Sequence, residues 1–482
     1  MLRAVPGGAE RGPVISAAFL VSSLFVLAVT VVAGAPSLTV AAGVAAASII
    51  VVAYRSLLTW KALLTAIILV ILFLPIKRYT LPGNLPFDLE PYRVLVFGVI
   101  FGWFAALLID PRVRVRATGL EAPIVLVFFT AIVSDLVNPG RVSNVQSDVV
   151  KSLTFLVSYF LVFFLIASVV RKADTLDFLI KVLVSGGAIV AFFALVEFRT
   201  GFNIFDKVAA SFMTLSDDVS ATSLRGGDLR VAASAQGPIP LGAALVLMLP
   251  LSIYLAIRTR QKRWYVAGTL LVLGAFATVS RTSVVMLLVI GLVFLALRPR
   301  ETRRLWPFLV PALLALHVAV PGTIGTLQSA FSPGSIIKTE SAHPGWRGSG
   351  RIADLGPAMQ EFHGSPVYGQ GFGTRQPGRE LNNAQILDDQ WLKTLLETGI
   401  AGTFAWVWLI VRFVRRTGRA AKADESDRGW LLTAITASVL AFAVGMFLYD
   451  TFSFIQVTFL FFIVLGLGAA LLATPAEGQS EA

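Results

Sequence analysis

The chain of 482 residues contains no cysteine and little charge. The missing thiols exclude disulfides, thiolate metal sites and haem attached through cysteine. Only 14% of the residues are charged, whereas a soluble domain has roughly a quarter, and 56% are hydrophobic. We therefore expect a polytopic integral membrane protein rather than a soluble globular one.

The sequence also lacks the short motifs of common soluble enzymes. It has no GxxxxGK[ST], HExxH or GxSxG segment and only three histidines. These absences remove the usual signatures of P-loop nucleotide hydrolases, zinc proteases and α/β-hydrolases. The net charge of +12 does not predict nucleic-acid binding, because the basic residues fall in short loops between apolar runs. In that position they orient the chain and contact lipid headgroups.

Long apolar runs are the main feature that is present. Runs near the length of about 20 residues that a bilayer requires predict an all-α bundle of about fourteen transmembrane helices, or twelve if short runs merge. The predicted spans are 14–33, 38–54, 58–75, 93–109, 120–137, 149–170, 176–198, 238–257, 264–279, 283–297, 305–321, 399–414, 430–448 and 452–473.

Charge in the loops predicts the orientation of this bundle. With a cytoplasmic N-terminus, the Arg-rich loops all fall on the cytoplasmic side, as the positive-inside rule requires. We therefore predict a multi-pass protein of the cytoplasmic (inner) membrane with both termini in the cytoplasm. The predicted regions are N-terminal helices 1–175, central helices 176–321 with a first outer loop at 199–237, a large extracytoplasmic loop 322–388, C-terminal helices 389–474 and a disordered tail 475–482.

Ionisable residues inside the predicted spans lie toward the outer ends of those spans. Such groups usually mark a wet cavity or a site, so we expect a cavity that opens outward. The residues concerned are Asp135, Glu197, Arg281, His317 and Asp450.

Arginine recurs on the predicted outer side. Its planar fork binds phosphate with two hydrogen bonds and keeps its charge when desolvated. A set of arginines could therefore hold a diphosphate and stabilise it as a leaving group. The competing interpretation is contact with lipid headgroups or with nearby aspartates; Arg281 favours function, because no acidic residue is near it in sequence. The outer set is Arg225, Arg230, Arg281, Arg347, Arg351, Arg375 and Arg379.

Asp388 and Asp389 precede a predicted helix and have three interpretations. One of them could cap the helix, or act as a general base. The pair could also bind a divalent metal together with Asp217 and Asp218. Residue chemistry alone leaves all three open.

The large outer loop itself has a recognisable pattern. Residues 351–362 predict a short helix that ends at Gly364 and Pro366. The segment 368–374, YGQGFGT, predicts turns whose backbone can approach another surface closely. Residues 388–399 predict a helix that leads back into the membrane.

These motifs together resemble the bacterial O-antigen ligases and the related O-antigen and exopolysaccharide polymerases. Those proteins have an Arg before a small-residue segment that opens a span, a Ser-Arg outer turn, and an Arg-led helix followed by a Pro and a Gly-rich turn. The similar features here are Arg230 before VAASAQGPIPLGAALVLMLPL, Ser280 with Arg281, and Arg351 through Pro366 to Gly373.

The family loop closes on His-Asn-x-x-Leu followed by Glu-x-Gly. Leu392, Glu397 and Gly399 fit this register, but Asp388 and Asp389 stand where the family has His and Asn. The family His is the usual candidate for activating the acceptor hydroxyl. Because a carboxylate can also accept a proton, the resemblance implies a subfamily that uses Asp at this position.

The resemblance implies a membrane glycosyltransferase that needs no cofactor or metal, since guanidinium groups can neutralise the leaving group. Its donor would be a glycan on a polyprenyl diphosphate, such as undecaprenyl diphosphate, and its acceptor a sugar hydroxyl of a glycan or lipid-linked glycan. Membrane lipids and envelope-polysaccharide assembly proteins would be its other partners. The implied roles are diphosphate binding by Arg225, Arg230, Arg281 and Arg351, catalysis by Asp388, Asp389 and Arg281, and support of the acceptor and loop by Gln390, Glu397, Gly371 and Gly373.

Two other classes of function stay open. The departure from His-Asn favours a polymerase or a general envelope-glycan transferase over a ligase proper. A transporter of a lipid-linked or anionic solute is an alternative, although the paired halves typical of transporters are not visible in the sequence. A non-catalytic scaffold of an envelope-glycan assembly complex is the other.

Overall fold

The structure is a computed structural model that describes residues 59–80, 90–111, 113–207, 214–215, 223–225, 228–303, 355–375 and 388–474. The chain divides into two compact units, residues 1–66 and 67–482. Every contact discussed below lies within the second unit.

Helices dominate the described residues. They are α1 (Trp60–Phe73), α2 (Pro91–Ile109), α3 (Glu121–Val137), α4 (Pro139–Asn144), α5 (Gln146–Val169), α6 (Ala173–Thr200), α7 (Pro238–Thr259), α8 (Lys262–Ala277), α9 (Arg281–Leu297), α10 (Pro299–Arg303), α11 (Leu355–Gly364), α12 (Gln390–Ala423), α13 (Asp427–Gly445) and α14 (Ile455–Leu472). Short 3-10 turns lie at Ile204–Lys207 and Thr451–Ser453.

Most of the predicted spans coincide with helices. Seven helices are long and apolar enough to cross a membrane: α2, α5, α6, α7, α12, α13 and α14. The predicted spans at 58–75, 120–137, 264–279 and 283–297 fall on the shorter helices α1, α3, α8 and α9. The predicted spans at 14–33, 38–54 and 305–321 lie outside the described residues. The helical membrane bundle is thus confirmed, and the count of fourteen stays a prediction.

Strands are few and short in the described part of the chain. β1 (Tyr79–Thr80) pairs antiparallel with β2 (Thr214–Leu215). β3 (Ser223–Arg225) and β4 (Asp228–Arg230) form a hairpin. Three of these four strands fall in the predicted first outer loop, so that loop contains small β elements that the apolar pattern does not predict.

The core is organised around α14. This helix is apolar along its length, and 94% of its 18 residues are buried by other parts of the chain. Phe461 stacks on Phe442 of α13 with ring centroids 4.1 Å apart, and Phe462 packs edge-on against Phe160 of α5. A helix that is apolar on all sides belongs in the interior of a bundle.

Ion pairs and hydrogen bonds from basic side chains link neighbouring helices at one end of the bundle. Arg258 pairs with Asp177 and, at 3.2 Å, with Asp427. Arg298 is buried and donates to the Asp424 carbonyl oxygen at 2.6 Å. These residues come from the Arg-rich loops predicted to be cytoplasmic; the side of the membrane that this end faces remains a prediction.

The opposite end gathers the residues predicted to carry function. Met286 Sδ lies 3.0 Å from the position of a Cβ on Gly445, and Phe294 contacts Trp430, so α9 and α13 run antiparallel. Arg281, the first residue of α9, therefore lies at the end of the bundle where α13 finishes.

A glycine substitution tests how closely these helices pack. A Cβ on Gly274 of α8 would stand 2.9 Å from the Ala191 Cβ and 3.1 Å from its Cα. We expect Gly274→Ala to lower the free energy of unfolding by about 1–3 kcal/mol through overpacking. The measurement is thermal unfolding of the purified protein in detergent.

The matched control is Gly291→Ala in α9, where nothing lies within 4 Å of the added Cβ. Equal stability of the two variants would contradict the packing of α8 against α6.

Candidate functional site

The helix at the centre of the site, α12, is broken at Gly399. This residue has φ 66° and ψ −166°, a conformation that is essentially confined to glycine. In an unbroken helix the Ile400 and Ala401 N–H groups would donate to the Leu396 and Glu397 carbonyls. The break leaves all four groups in need of partners, because a buried backbone group without a hydrogen bond is costly.

A turn at residues 366–371 supplies those partners. It lies beside the break and exchanges hydrogen bonds with it in both directions, so the turn and the helix form one unit. The bonds run from Gln370 N–H to Leu396 O (2.9 Å), from Gly371 N–H to Glu397 O (3.1 Å), from Ile400 N–H to Pro366 O (2.9 Å) and from Ala401 N–H to Val367 O (3.2 Å).

Close backbone approach accounts for the glycines at this contact. Gly369 has φ 72°, and a Cβ there would overlap the Glu397 carbonyl. A Cβ on Gly399 would overlap the Val367 carbonyl. The prediction that YGQGFGT forms a turn whose backbone approaches another surface is confirmed. Gly371 and Gly373 also have positive φ, at 108° and 70°.

The end of α3 supports the same contact from the other side. The Ser134 hydroxyl donates to the Glu397 carbonyl at 2.5 Å and accepts from the Gly371 N–H at 2.9 Å. The Asn138 amide donates to the Gly369 carbonyl at 3.0 Å. The Glu397 carbonyl is therefore held by two segments of the chain, the turn and the end of α3.

An ion pair holds the helix before the turn. Arg375 is buried and pairs with Glu361 of α11, while its backbone N–H points at Glu397 Oε1 at 3.4 Å. Helix α11 extends to Gly364, as predicted. For Arg375 this arrangement agrees with the competing interpretation, an arginine that pairs with a nearby acid.

A cavity of about 130 Å³ opens beside the broken helix. This is roughly ten times the space that one ordered water needs. Aromatic rings, hydrogen-bonding groups and cations all line it. They are Phe155, Tyr159, Phe372, Trp406 and Phe452; Ser152, Gln390, Thr394, Glu397, Thr398 and Ser453; and Lys77, Lys151 and Lys393, together with Leu156, Gly373 and Ile455.

Such a wall suits a carbohydrate. A sugar ring presents C–H faces that pack on aromatic rings and hydroxyl edges that need donors and acceptors, and binding cavities typically combine apolar walls with a few placed polar groups. Among the described residues that line the cavity, Glu397 is the only carboxylate, and it is 3% exposed.

Two further residues tie the start of α12 to the segment that follows α13. Lys393 Nζ donates to Asp450 Oδ2 at 2.9 Å, with both side chains mostly buried. Gln390 donates its N–H to the Met446 carbonyl at 2.8 Å, and its side-chain oxygen accepts from the Phe452 N–H at 2.9 Å. The segment 446–453 thus forms one wall of the site.

The two aspartates before α12 have different surroundings. Asp389 caps the helix, because its Oδ1 accepts from the Leu392 N–H at 3.1 Å. The side chain of Asp388 is exposed. Of the three interpretations, capping is therefore observed for Asp389.

The structure brings two of the predicted diphosphate ligands to one turn. Arg230 Nε donates to the Thr278 carbonyl at 3.3 Å, in the turn that leads through Ser280 to Arg281. Arg225 belongs to the hairpin that ends at Arg230. The structure describes the backbone of Arg225 but not its side chain. Arg347, Arg351, Arg379, Asp217, Asp218 and His317 lie outside the described residues.

The turn at Arg281 and the cavity flank the same segment. Gly445 contacts Met286 of α9, one turn beyond Arg281. Eight residues after Gly445, Ser453 lines the cavity. The arginine turn and the cavity are therefore neighbouring parts of one end of the bundle.

The sequence pattern did not single out the lysines and aromatic residues of the cavity. Lys77 and Lys151 both fall at predicted outer ends of spans, where the positive-inside rule disfavours basic residues. That departure was an available signal for Lys77 and Lys151. The aromatic lining had no signal, because Phe and Trp are common in any apolar run.

Comparison with known protein families also points to the end of the bundle that contains the cavity. Residues 266–407 match the family model described as O-antigen ligase. The chain contains an O-antigen ligase domain. The predicted likeness to the O-antigen ligase and polymerase superfamily is thereby confirmed over these residues, and the apolar helices are those of a multi-pass membrane protein. The O-antigen ligase domain spans both the Arg281 turn and the break at Gly399. No curated protein matches the chain.

Substitution of the glycine at the break tests this geometry. Gly399→Ala places a Cβ against the Val367 carbonyl and forces a backbone conformation that alanine avoids. We expect a loss of about 1–3 kcal/mol from backbone strain alone, with faster proteolysis of the turn at 366–371. Thermal unfolding and limited proteolysis in detergent measure both effects.

Gly364→Ala is the control, because nothing lies within 4 Å of its added Cβ. A Gly399→Ala protein as stable and as protease-resistant as this control would refute the docking of the turn on the broken helix.

Proposed function

We propose that the protein is a membrane glycosyltransferase that moves a polyprenyl-diphosphate-linked glycan to a sugar hydroxyl at the outer face of the cytoplasmic membrane. Undecaprenyl diphosphate is the carrier we propose, and the acceptor is a glycan or a lipid-linked glycan of cell-surface polysaccharide assembly. The observation that carries this proposal is the cavity at the helix break of the O-antigen ligase domain, with its aromatic, amide and carboxylate lining.

The arginines would act on the donor. Arg230 donates a hydrogen bond to the turn that leads to Arg281, and guanidinium groups there can neutralise a diphosphate without a metal. In the proposed reaction the acceptor hydroxyl oxygen bonds to the anomeric carbon as the bond from that carbon to the diphosphate oxygen breaks. The electron pair leaves with the polyprenyl diphosphate, whose added charge the arginines stabilise. Arg225 and Arg351 are further proposed ligands of the diphosphate.

The proton of the acceptor hydroxyl needs a base. We assign this role to Asp388, which stands at the position of the family His and whose side chain is exposed. The carboxylate of Asp389 caps the helix, so its contribution would be to fix the helix start. Glu397 and Gln390 line the cavity and would hold acceptor hydroxyls, while Gly371 and Gly373 shape the loop.

Orientation supports the proposed outer-face activity. The Arg-rich loops fasten the end of the bundle opposite to the cavity. Because short basic loops are retained in the cytoplasm, the cavity would face outward, where lipid-linked glycans are assembled into surface polymers.

Removal of the Arg281 side-chain charge should abolish most of the transfer. We expect Arg281→Gln to lower the rate by about 100-fold or more, since loss of one preorganised charge contact costs about 3–4 kcal/mol in comparable sites. The assay uses protein in liposomes with undecaprenyl-diphosphate oligosaccharide, with and without EDTA. Arg303→Gln is the control, because Arg303 is exposed on α10 in the Arg-rich loops.

Full activity of a folded Arg281→Gln protein would contradict the assignment of Arg281 to the diphosphate site. A requirement for a divalent ion would contradict metal independence. Passage of the oligosaccharide lipid across the bilayer without chemical change would identify a transporter instead.

Steady-state kinetics should distinguish the roles of the Asp388 and Glu397 carboxylates. Asp388→Asn removes the proposed base, so kcat should fall by about 100-fold with little change in KM. Glu397→Gln keeps a hydrogen-bonding side chain, so we expect mainly a higher KM for the acceptor. The reverse pattern would make Glu397 the base and leave Asp388 without the role assigned to it.

A further inference from the structure

Two lysines of the cavity differ from its other charged groups. Lys393 is paired with Asp450, and Arg375 beside Glu397 is paired with Glu361. Within the described part of the chain, Lys77 and Lys151 line the same cavity and neither ammonium group forms an ion pair. Among the described residues, the cavity is therefore lined by two ammonium groups that have no ion-pair partner.

The backbone holds Lys77 in place at a cost. Lys77 has φ 65°, in the left-handed region that residues other than glycine rarely adopt. Its N–H donates to Glu90 Oε2 at 2.7 Å, and Glu90 is buried. Strained residues persist where the surrounding structure fixes them, and they concentrate at functional sites.

The two ammonium groups also act on each other. Burial lowers the pKa of Lys77, and the charge of Lys151 lowers it further. Like charges held close together are stabilised when an anion lies between them. An empty pair is thus less favourable than an occupied one.

Lys151 also lies beside two aromatic residues that line the cavity. Lys151, Phe155 and Tyr159 occur at intervals of four residues on α5, so they share one helix face. The rings of Phe155 and Tyr159 are stacked, with centroids 6.1 Å apart and planes 16° apart. Tyr159 is also stacked on Phe462, and the Arg93 guanidinium lies over Phe155 at 5.3 Å, so much of this aromatic surface is already covered. Phe155 and Tyr159 nevertheless line the cavity beside Lys151, so a sugar ring inside the cavity would lie next to the Lys151 ammonium group.

We propose that Lys77 and Lys151 form an anion subsite of the cavity, which takes an acidic group of the glycan, either a uronic-acid carboxylate or a phosphoryl group. This inference rests on the proposed function, because it takes the ligand to be a glycan substrate. The aromatic and hydrogen-bonding lining of the cavity beside Lys151 favours an acid carried on a sugar ring. The diphosphate of the donor is the other source of the same chemistry.

Binding to the full-length protein in lipid nanodiscs tests this subsite without any turnover. The probes for calorimetry are trigalacturonate, the same trisaccharide with its carboxylates reduced to alcohols, and inorganic pyrophosphate. The variants are Lys77→Gln, Lys151→Gln and the double variant. Lys262→Gln is the matched control, because it removes the same charge from an exposed residue of a loop predicted to be cytoplasmic.

We expect the wild type to bind trigalacturonate about tenfold or more tightly than the reduced trisaccharide, and the double variant to lose that preference. Binding of the reduced trisaccharide should not change, and Lys262→Gln should behave as wild type. If pyrophosphate rather than trigalacturonate depends on the two lysines, the subsite stands and its ligand is the donor diphosphate.

Two results would overturn the subsite. One is lysine-independent binding of both anions; the other is an equal loss for the reduced trisaccharide, which would mean a structural role. Anion binding that depends on the lysines in a protein without transferase activity would contradict the proposed function and not the subsite. An active transferase with lysine-independent binding would contradict the subsite alone.

Discussion

The structure of the site depends on the docking of a glycine-rich turn against a broken helix. A helix break in a buried segment leaves backbone groups that need hydrogen-bond partners from elsewhere in the chain. Here the turn at 366–371 meets all four, and the Ser134 hydroxyl adds a second partner to two of the groups at the contact. Glycine at positions 369 and 399 is what lets the two backbones come this close. The break therefore persists because a distant part of the chain completes its hydrogen bonding.

This docking brings side chains of the turn and of the broken helix together around one cavity. The break at Gly399 holds Glu397 against the turn, so that Glu397, Phe372 and Gly373 line one cavity. Lys393 is paired with Asp450 and Arg375 with Glu361. Among the described residues that line the cavity, Glu397, Lys77 and Lys151 are the charged residues without an ion-pair partner. A sugar with an acidic group complements these three side chains, and the neighbouring arginine turn complements a diphosphate.

The apolar pattern was enough to predict the helical bundle, because a bilayer admits few other backbones. The motif pattern was enough to find the Arg281 turn, the Gly-rich segment and the return of α12. It could not predict that Asp389 caps the helix, since aspartate before a helix serves several roles. Nor could it bring Lys77 and Lys151 into one cavity, because 73 intervening residues separate them in sequence and only the tertiary packing joins them. The small strands were missed because two or three residues carry no periodicity.

The central claim is that the cavity end of the bundle transfers a glycan from a polyprenyl diphosphate. The most direct measurement is the stoichiometry of one reaction in liposomes, with mass spectrometry of both the glycan product and the lipid. The account predicts one free polyprenyl diphosphate for each new glycosidic bond, when donor and acceptor are present only in the leaflet that faces the cavity. New glycan without released polyprenyl diphosphate, or no new bond from that leaflet, would contradict it.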